Sequence, residues 1–579
     1  QYATLGDNTE GAEKSGVIAN FKNAAKVLRG EKPDADFYGM VFQDSDAAKW
    51  LEAAAYALAD FPDPELEKKA DELIETIASA QDSDGYLNTR FTISDRDTRW
   101  TNLLEAHELY CSGHMMEAAC AYYEATGKEK LLKVMKKNAD CIYKRFIEEK
   151  NGGCPGHPEI ELALMKMYRL TGEKKCLELA EYFINQRGKD TGFYQKEADK
   201  RDWTVWNSNP WDNDYRQSHL PVREQTVAVG HAVRAVYLYT GMAELAAETG
   251  DKELLAACER LWGNITEKQM HITGGIGSTV TGEAFTVDYD LPPDTVYAET
   301  CAAVGLIFFG RAMLKSEIDG KYGDICERAF YNGVLAGMAL DGKSFFYVNP
   351  LEVIPGISGV SSNYRHDLTQ RPKWYVCACC PPNVARLVAS FGRYAYGEKG
   401  DTLYCHMFAD GSVSFENGSE LVCETDYPYD FTVKYTLKKG ENKTLAIRIP
   451  AWSRKNELSL NGKKLDLSVK KGYVYLEVKS GDQVTLSMDG RPKFQYPSPK
   501  IHSLTGKAAV MRGPLVYCFE GKDNEGDVLS LYLKDGEALS LSRLEAEPLA
   551  GVTGITASAV SEDIPKGLYT DEKPEKRAC

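Results

Sequence analysis

Two short segments concentrate side chains able to hold a metal or attack an electrophile. Tyr297-Ala298-Glu299-Thr300-Cys301 sets a carboxylate and a thiol two residues apart, and Cys377-Ala378-Cys379-Cys380-Pro381-Pro382-Asn383 sets three thiols within four positions. On extended backbone Glu299 and Cys301 aim at one point, whereas adjacent Cys379 and Cys380 need an irregular turn to converge. Three thiolates, Cys301, Cys379 and Cys380, with the Glu299 carboxylate would make a four-coordinate zinc site. The two C-x-x-C pairs of a structural finger are missing, so buried free cysteines stand as an equal alternative on spacing alone.

Glu283 sits in a glycine-rich stretch, Gly274-Gly275-Ile276-Gly277-Ser278-Thr279-Val280-Thr281-Gly282-Glu283-Ala284-Phe285-Thr286. No Gly-Lys-Ser/Thr follows, which removes the phosphate-cradle reading. One glutamate beside an aromatic suits a general acid with a raised pKa. Asp288, Asp290 and Asp294 follow closely, so a solvated acidic loop is the competing explanation.

Histidines number only nine. His107 and His114 are seven apart and are expected on one helix face. Gly-His recurs at 113–114, 156–157 and 230–231, which lifts His157 and His231 above ordinary core histidines, because a sugar pocket needs neutral donors and acceptors beside hydroxyls. Trp100, Trp203, Trp206, Trp211 and Tyr347 lie in or near loops, with core packing the simpler role for each. Neither a G-x-S-x-G elbow nor an H-E-x-x-H helix occurs, which removes serine-hydrolase and zincin chemistry.

The elements that must position these residues follow from periodicity. From about residue 45 to 340 apolar residues recur at helical spacing. Three segments repeat, each running from Gly-His to Thr-Gly and on to a second helix: Gly113 to Gly127, Gly156 to Gly172 and Gly230 to Gly250. The unit is a helical hairpin with Thr-Gly supplying the left-handed helix end. Hairpins bury their faces only by stacking, and six need roughly 300–400 residues where about 390 are available, so a closed α/α toroid is expected over an open array. Closure would set the Gly-His positions at one mouth of the ring.

Near residue 400 the pattern becomes alternating, as in Thr444–Pro450, Gly472–Val478 and Gln483–Met488, with turns at Lys438–Asn442 and Leu460–Lys463, which predicts a β-sandwich. A further strand-rich piece surrounds Ala508–Tyr517. The expected fold class is multidomain α + β: an (α/α)6 catalytic toroid over residues 1–395, a β-sandwich over 396–503 and a second, incomplete β-sandwich over 504–579.

Composition narrows the functional classes. The chain has 579 residues, 43% hydrophobic and 27% charged, enough for sizeable cores. A formal charge of −16 gives no electrostatic case for nucleic acid or an anionic membrane. No run approaches the ~18 apolar residues of a membrane span, and no secretory leader opens the chain. Fifteen cysteines, mostly single within helical patterns, read as reduced thiols. A cytoplasmic location is expected.

At Glu283, Glu299-Thr300-Cys301 and Cys379-Cys380-Pro381 the chain resembles the β-L-arabinofuranosidases of glycoside hydrolase family 127. The resemblance runs nearly end to end, through Tyr38–Asp46, Gly156–Leu162 and Met511–Tyr517. It implies an (α/α)6 barrel followed by β-sandwiches. It also implies that Cys379 is a nucleophile, Glu283 the general acid/base, and Glu299, Cys301 and Cys380, with Cys379, the ligands of Zn2+. His107, His157, His231 and Tyr347 match its sugar-binding positions. Relatives extend beyond Gln1-Tyr2 and beyond Cys579, so both ends are expected to be shortened.

The expected function is a retaining hydrolase releasing L-arabinose from terminal β-L-arabinofuranosides of plant-derived glycans. Alternatives are the same mechanism on another L-configured or branched furanoside, a toroidal lyase or unsaturated-uronide hydrolase, and a glycan-binding barrel with structural zinc. The expected partner is a small oligosaccharide or glycoside, and the expected assembly a homodimer.

Overall fold

The computed structural model describes residues 15–579 except 374, 376, 378, 525–527, 534, 535, 537, 546, 548, 563–567, 572–575 and 579. Gln1-Tyr2 and Cys579, on which the expected shortening rests, lie outside the described residues, as does Ala378 of the cysteine motif.

The helices in chain order are α1 (Val17–Leu28), α2 (Asp44–Asp60), α3 (Pro64–Ser79), α4 (Thr89–Ile93), α5 (Glu108–Thr126), α6 (Lys130–Tyr143), α7 (Ile160–Thr171), α8 (Lys174–Gln186), α9 (Phe193–Ala198), α10 (Ala232–Thr249), α11 (Lys252–Asn264), α12 (Thr300–Ser316), α13 (Gly320–Ala329) and α14 (Cys380–Ala389). Helix α2 packs on α5, α5 on α7, α7 on α10, α10 on α12, α12 on α14, and α14 back on α2. Six helices therefore close a ring, and the toroid replaces the open array. The ring helices are buried almost all round, as Glu108–Tyr122 of α5 illustrates, because each meets neighbours on both sides and an outer layer behind. Outer helices α3, α6, α8 and α11 bury only a stripe, such as Ala70, Leu73, Ile74 and Ile77 of α3.

The repeat has a local cause. Gly127, Gly172 and Gly250 end α5, α7 and α10 at φ 71°, 71° and 70°. The preceding threonine closes each end by donating to the carbonyl four residues back, Thr126 to Tyr122 at 2.7 Å, Thr171 to Met167 at 2.7 Å and Thr249 to Leu245 at 2.8 Å. Left-handed backbone costs glycine little, so the next helix starts within a few residues.

The register of the first repeat differs from the sequence expectation. Gly113-His114 lies inside α5, and His114 is buried with Nδ1 3.1 Å from Glu159 Oε1. Gly113 permits close helix approach, since a Cβ there would come within 2.8 Å of Glu159 and 3.0 Å of the Ile160 backbone. The residue matching His157 and His231 at the ring's mouth is His107, which immediately precedes α5 at φ 56°.

The strands form a second compact unit, which also takes in Asp319–Asn332. One sheet runs β1 (Tyr396–Lys399), β2 (Thr402–Cys405), β6 (Lys443–Arg448), β9 (Tyr473–Val478), with β2 and β6 parallel. The other runs β3 (Gly411–Ser414), β4 (Glu420–Glu424), β5 (Thr432–Lys439), β10 (Gln483–Met488), β7 (Asn456–Leu460), β8 (Lys463–Leu465). Leu403, Leu445, Ile447 and Val474 of the first sheet share a core with Val433, Tyr435, Val484 and Leu486 of the second, which makes a sandwich. Asn461-Gly462 turns β7 into β8 with φ of 51° and 78°, the positive pair a two-residue hairpin requires. Beyond it come β11 (Lys493–Gln495), β12 (Ala509–Arg512) and β13 (Leu515–Tyr517) in one sheet, then short strand pairings up to residues 576–578.

No helix among the described residues is long and apolar enough to cross a membrane.

Candidate active site

Glu299 and Cys301 meet at the start of α12. Glu299 is extended at φ −60°, ψ 136°, while Cys301 already lies in the first turn. The approach is pinned on both sides: Ala298 N donates to Gly277 O at 3.0 Å and Thr300 N to Tyr347 O at 2.9 Å. Cys379 and Cys380 begin α14, with Pro381 and Pro382 following where their missing N–H groups cost nothing. The irregular turn expected for the adjacent cysteines is this helix start, whose positive dipole end favours thiolates.

The four side chains converge. Cys301 Sγ is 3.1 Å from Cys380 Sγ and 3.6 Å from Cys379 Sγ, and Cys379 Sγ is 3.9 Å from Cys380 Sγ. Glu299 Oε1 lies 3.6 Å from Cys379 Sγ and 3.7 Å from Cys380 Sγ. Sulfurs at ~2.3 Å from a tetrahedral zinc are separated by about 3.8 Å, so the cluster has the dimensions of a slightly contracted metal cage. Glu299 Oε2 is buried without a hydrogen-bond partner. Burial, with Cys379 next, pushes the Glu299 carboxyl well above its ordinary value, and burial with the Cys301 contact does the same to the Cys380 thiol. Cys301 behaves oppositely: burial opposes ionisation, but its hydrogen bonding with Cys379 and Cys380 and the nearby Lys49 ammonium hold it at about 7. A buried carboxyl and thiol that both resist ionising beside two further sulfurs are what a divalent cation relieves. The residues therefore fit a metal. Cys377 stands apart, its thiol raised first by its contact with Cys379 and then by burial.

Glu283 sits at φ 53° in a short turn, Thr281–Glu283. Its Oε1 accepts from Tyr297 OH at 2.8 Å, and its Oε2 lies 3.0 Å from His231 Nε2. Glu283, His231 and Glu299 each place a donor atom within 4.8 Å of the others, so the loop carboxylate adjoins the thiol cluster. The raised pKa expected for Glu283 is corrected. Burial alone would raise it, but the His231 and Tyr297 hydrogen bonds and the Arg234 charge hold it below the ordinary carboxylate range. His231 is itself held below its ordinary value, chiefly by burial. Its Nδ1 accepts from Arg234 N at 3.4 Å, so the neutral ring carries its proton on Nε2 and donates to Glu283.

The histidines continue the wall. Ring centres of His231 and His157 are 5.7 Å apart, and those of His157 and His107 5.5 Å. Burial first, then Arg234, keeps His107 neutral to about 3 and His157 neutral as well. Nδ1 of His157 donates to Pro158 O at 2.9 Å, and Nδ1 of His107 donates to Glu105 O, which leaves each Nε2 as an acceptor. Tyr347 OH lies 3.1 Å from Cys379 Sγ. The nine residues to which the resemblance gives catalytic, metal and sugar-binding positions thus line one region of the helical unit.

Among the aromatics, Trp206 stands edge-on to His107 at 5.3 Å and is 44% exposed. Trp100 packs on Tyr86 and Trp203 on Phe91, in the core role. Trp211 is 60% exposed.

Sequence reasoning missed Tyr297, Lys49 and Asn383. Tyr297 lay inside the quoted motif, two residues before Glu299, but Ala298 between them takes φ 41°, so strand alternation does not predict where its hydroxyl goes. Buried Lys49 donates to Tyr110 OH at 2.9 Å and carries positive charge toward the thiols, but nothing in a helical stretch distinguishes it. Asn383 lay inside the quoted motif and donates to Cys301 Sγ at 3.1 Å.

A closed helical ring that brings a carboxylate, a thiol cluster and neutral histidines side by side is the equipment of a carbohydrate-active enzyme. Family models for the β-L-arabinofuranosidase GH127 catalytic, middle and C-terminal domains match residues 4–393, 402–490 and 492–560. The chain is 44% identical over 585 residues to the non-reducing end β-L-arabinofuranosidase of Bifidobacterium longum subsp. longum, covering 96% of this chain and 87% of that one. A crystal structure of a GH127 β-L-arabinofuranosidase from Geobacillus stearothermophilus T6 superposes with TM-score 0.94 at 46% identity, over 100% of this chain and 92% of that one. A second solved GH127 β-arabinofuranosidase gives 0.84 at 34%, over 97% and 87%. The chain belongs to glycoside hydrolase family 127 and is a glycoside hydrolase.

Proposed function

We propose that this enzyme releases L-arabinose from the non-reducing ends of β-L-arabinofuranosides, with retention, using Cys379 as nucleophile and Glu283 as general acid/base. The observation that carries the reading is the pairing of one carboxylate, Glu283, with a thiol cluster on the adjoining wall, where most glycosidases oppose two carboxylates. Glu299, Cys301, Cys379 and Cys380 would hold Zn2+, which supplies positive charge that keeps the Cys379 sulfur a thiolate at neutral pH.

Glu283, ionised in the free enzyme, must first take up a proton from solvent; in the first displacement Cys379 Sγ then attacks the anomeric carbon while the protonated Glu283 gives that proton to the departing glycosidic oxygen. The carboxylate of Glu283 then takes a proton from the incoming water, whose oxygen displaces the sulfur and restores Cys379. Two displacements return the starting configuration. His231 and Tyr297 aim the two oxygens of Glu283, and the acceptor Nε2 atoms of His107 and His157 receive sugar hydroxyls. Tyr347 OH donates to the sulfur and steadies it as the departing thiolate of the second step. We assign the catalytic unit to residues 1–395 apart from Asp319–Asn332, which group with the strands, with accessory β domains at 396–503 and 504–579.

Cys379→Ala and Glu283→Gln should each abolish turnover of an aryl β-L-arabinofuranoside. Near-wild-type activity in either would sink the mechanism. Intact-mass detection of a sugar adduct lost in Cys379→Ala tests the covalent step directly. A panel of aryl furanosides and pyranosides tests the sugar: faster cleavage of another L-configured or branched furanoside replaces the arabinose assignment while keeping the chemistry.

A further inference from the structure

Cys380, Asn383 and Arg386 recur at three-residue intervals and stack along one face of α14. The Asn383 amide links the other two to the far side of the thiol cluster. Arg386 Nε donates to Asn383 Oδ1 at 2.8 Å, and Asn383 Nδ2 donates to Cys301 Sγ and to Tyr237 OH, both at 3.1 Å. A guanidinium has donors only, so the amide oxygen must face it, and the amide N–H groups are thereby turned to the sulfur and the phenol.

Arg386 cannot release this grip easily. Its Nη1 donates to Glu52 Oε2 and Glu117 Oε2 at 2.7 Å each, its Nη2 donates to Tyr237 OH at 3.1 Å, and its plane lies 4.8 Å from the Phe308 ring centre. Lys166 pairs with Glu117 behind it. Asn383, Arg386, Glu52, Glu117, Tyr237 and Cys301 are all buried, so water cannot replace a lost partner. Arg386 already has two carboxylates and a phenol. Asn383 Oδ1 takes the remaining Nε–H, and the amide's other end points at one cluster sulfur.

We propose that Asn383 is a positioning residue for the thiolate centre: oriented by Arg386, its N–H donates to Cys301 Sγ, fixes that sulfur's direction and offsets part of the charge gathered by three thiolates. The inference rests on the metal reading above. Partners that orient a metal ligand commonly change affinity about 10–100-fold when removed.

The test uses the full chain and readouts other than turnover. Asn383→Asp keeps the size and can still face Arg386, but it sets an acceptor oxygen against Cys301; Asn383→Leu removes both polar atoms. Zn2+ affinity is measured by competition with a chromophoric chelator, and the thiolate-to-metal absorption band is recorded after loading with Co2+. Both variants should bind Zn2+ about 10–100-fold more weakly and shift the Co2+ band, with wild-type far-ultraviolet circular dichroism. Wild-type affinity and an unmoved band in a folded variant overturn the proposal. If neither variant folds, Arg386→Lys carries the test, since it keeps a cation for Glu52 and Glu117 but removes the donor that orients Oδ1; unchanged Zn2+ affinity and an unmoved Co2+ band there overturn it as well. A wild-type chain that takes up no Zn2+ overturns the metal reading itself, and the inference with it.

Discussion

Tyr347 is the residue whose chemistry is most exposed to test, because its hydroxyl lies on the proposed nucleophile. A hydrogen bond to a charged acceptor contributes roughly 1.5–3 kcal/mol, and each ~1.4 kcal/mol is tenfold in rate. Tyr347→Phe should therefore lower kcat/KM by about 10–100-fold while leaving Zn2+ content intact, read by steady-state kinetics and metal analysis; an unchanged kcat/KM would show the hydroxyl idle. Glu299, Cys301, Cys379 and Cys380 were only half legible: residue type suggested one cluster, but spacing left buried free cysteines an equal alternative until folding brought the four together. The state of Glu283 was not legible. Its pKa depends on His231 and Tyr297, 52 and 14 positions away, and only folding brings them within hydrogen-bonding distance.

Between residue and ring, the element that sets an aromatic beside His107 is the loop carrying Trp206. The buried Glu105 carboxylate gathers it, accepting from Thr204 Oγ1 and Val205 N at 2.7 Å each, Trp206 N at 3.2 Å and Ser208 N at 2.7 Å. Burial alone would raise the Glu105 pKa, but these bonds outweigh it and hold it at about 2. A depressed folded value means the stabilisation is complete above the ordinary glutamate value of 4.5 and is lost as pH falls toward about 2. Glu105→Gln should loosen the loop at pH 7, read as faster proteolysis near Trp206. Its stability should also depend less on pH between 4.5 and 2 than the wild type's; parallel curves would refute the clamp. Helix ends such as Thr249-Gly250 were legible because their cause is local. The first Gly-His pair misled for the opposite reason, as Gly113 serves a neighbouring helix, and a packing glycine and a loop glycine look alike in one dimension.

At the scale of the whole molecule, each unit carries buried charge that must stay paired. In the strand unit Arg448 is fully buried and pairs with Glu327 at 2.7 Å and with Asp324, both from the Asp319–Asn332 segment. Arg448→Met leaves Glu327 buried without its cation and should destabilise the unfolding transition of the strand unit by ~3–5 kcal/mol in denaturant titrations. Adding Glu327→Leu should recover much of this, because no uncompensated charge remains. A single variant at wild-type stability would refute the pairing's role. This grouping of α13 with the strands was invisible in the sequence, where residues 45–340 read as one helical stretch.

What the sequence determined by itself is whatever depends on neighbours along the chain. Helical periodicity, Thr-Gly ends, strand alternation, hairpin turns and the inventory of thiols and carboxylates follow from local backbone sterics and residue chemistry. The tertiary structure decided which of those residues share a point in space. The ring closes only where α14 meets α2, and that closure places Arg386 against Glu52, 334 positions earlier. The start of α12 meets the start of α14 across 78 positions from Cys301 to Cys379. Burial and long-range charge then set what each group can do, and neither is a property of sequence neighbours. Thus Glu283 is ionised in the free pocket, Glu105 holds a loop, and Asn383 faces a sulfur.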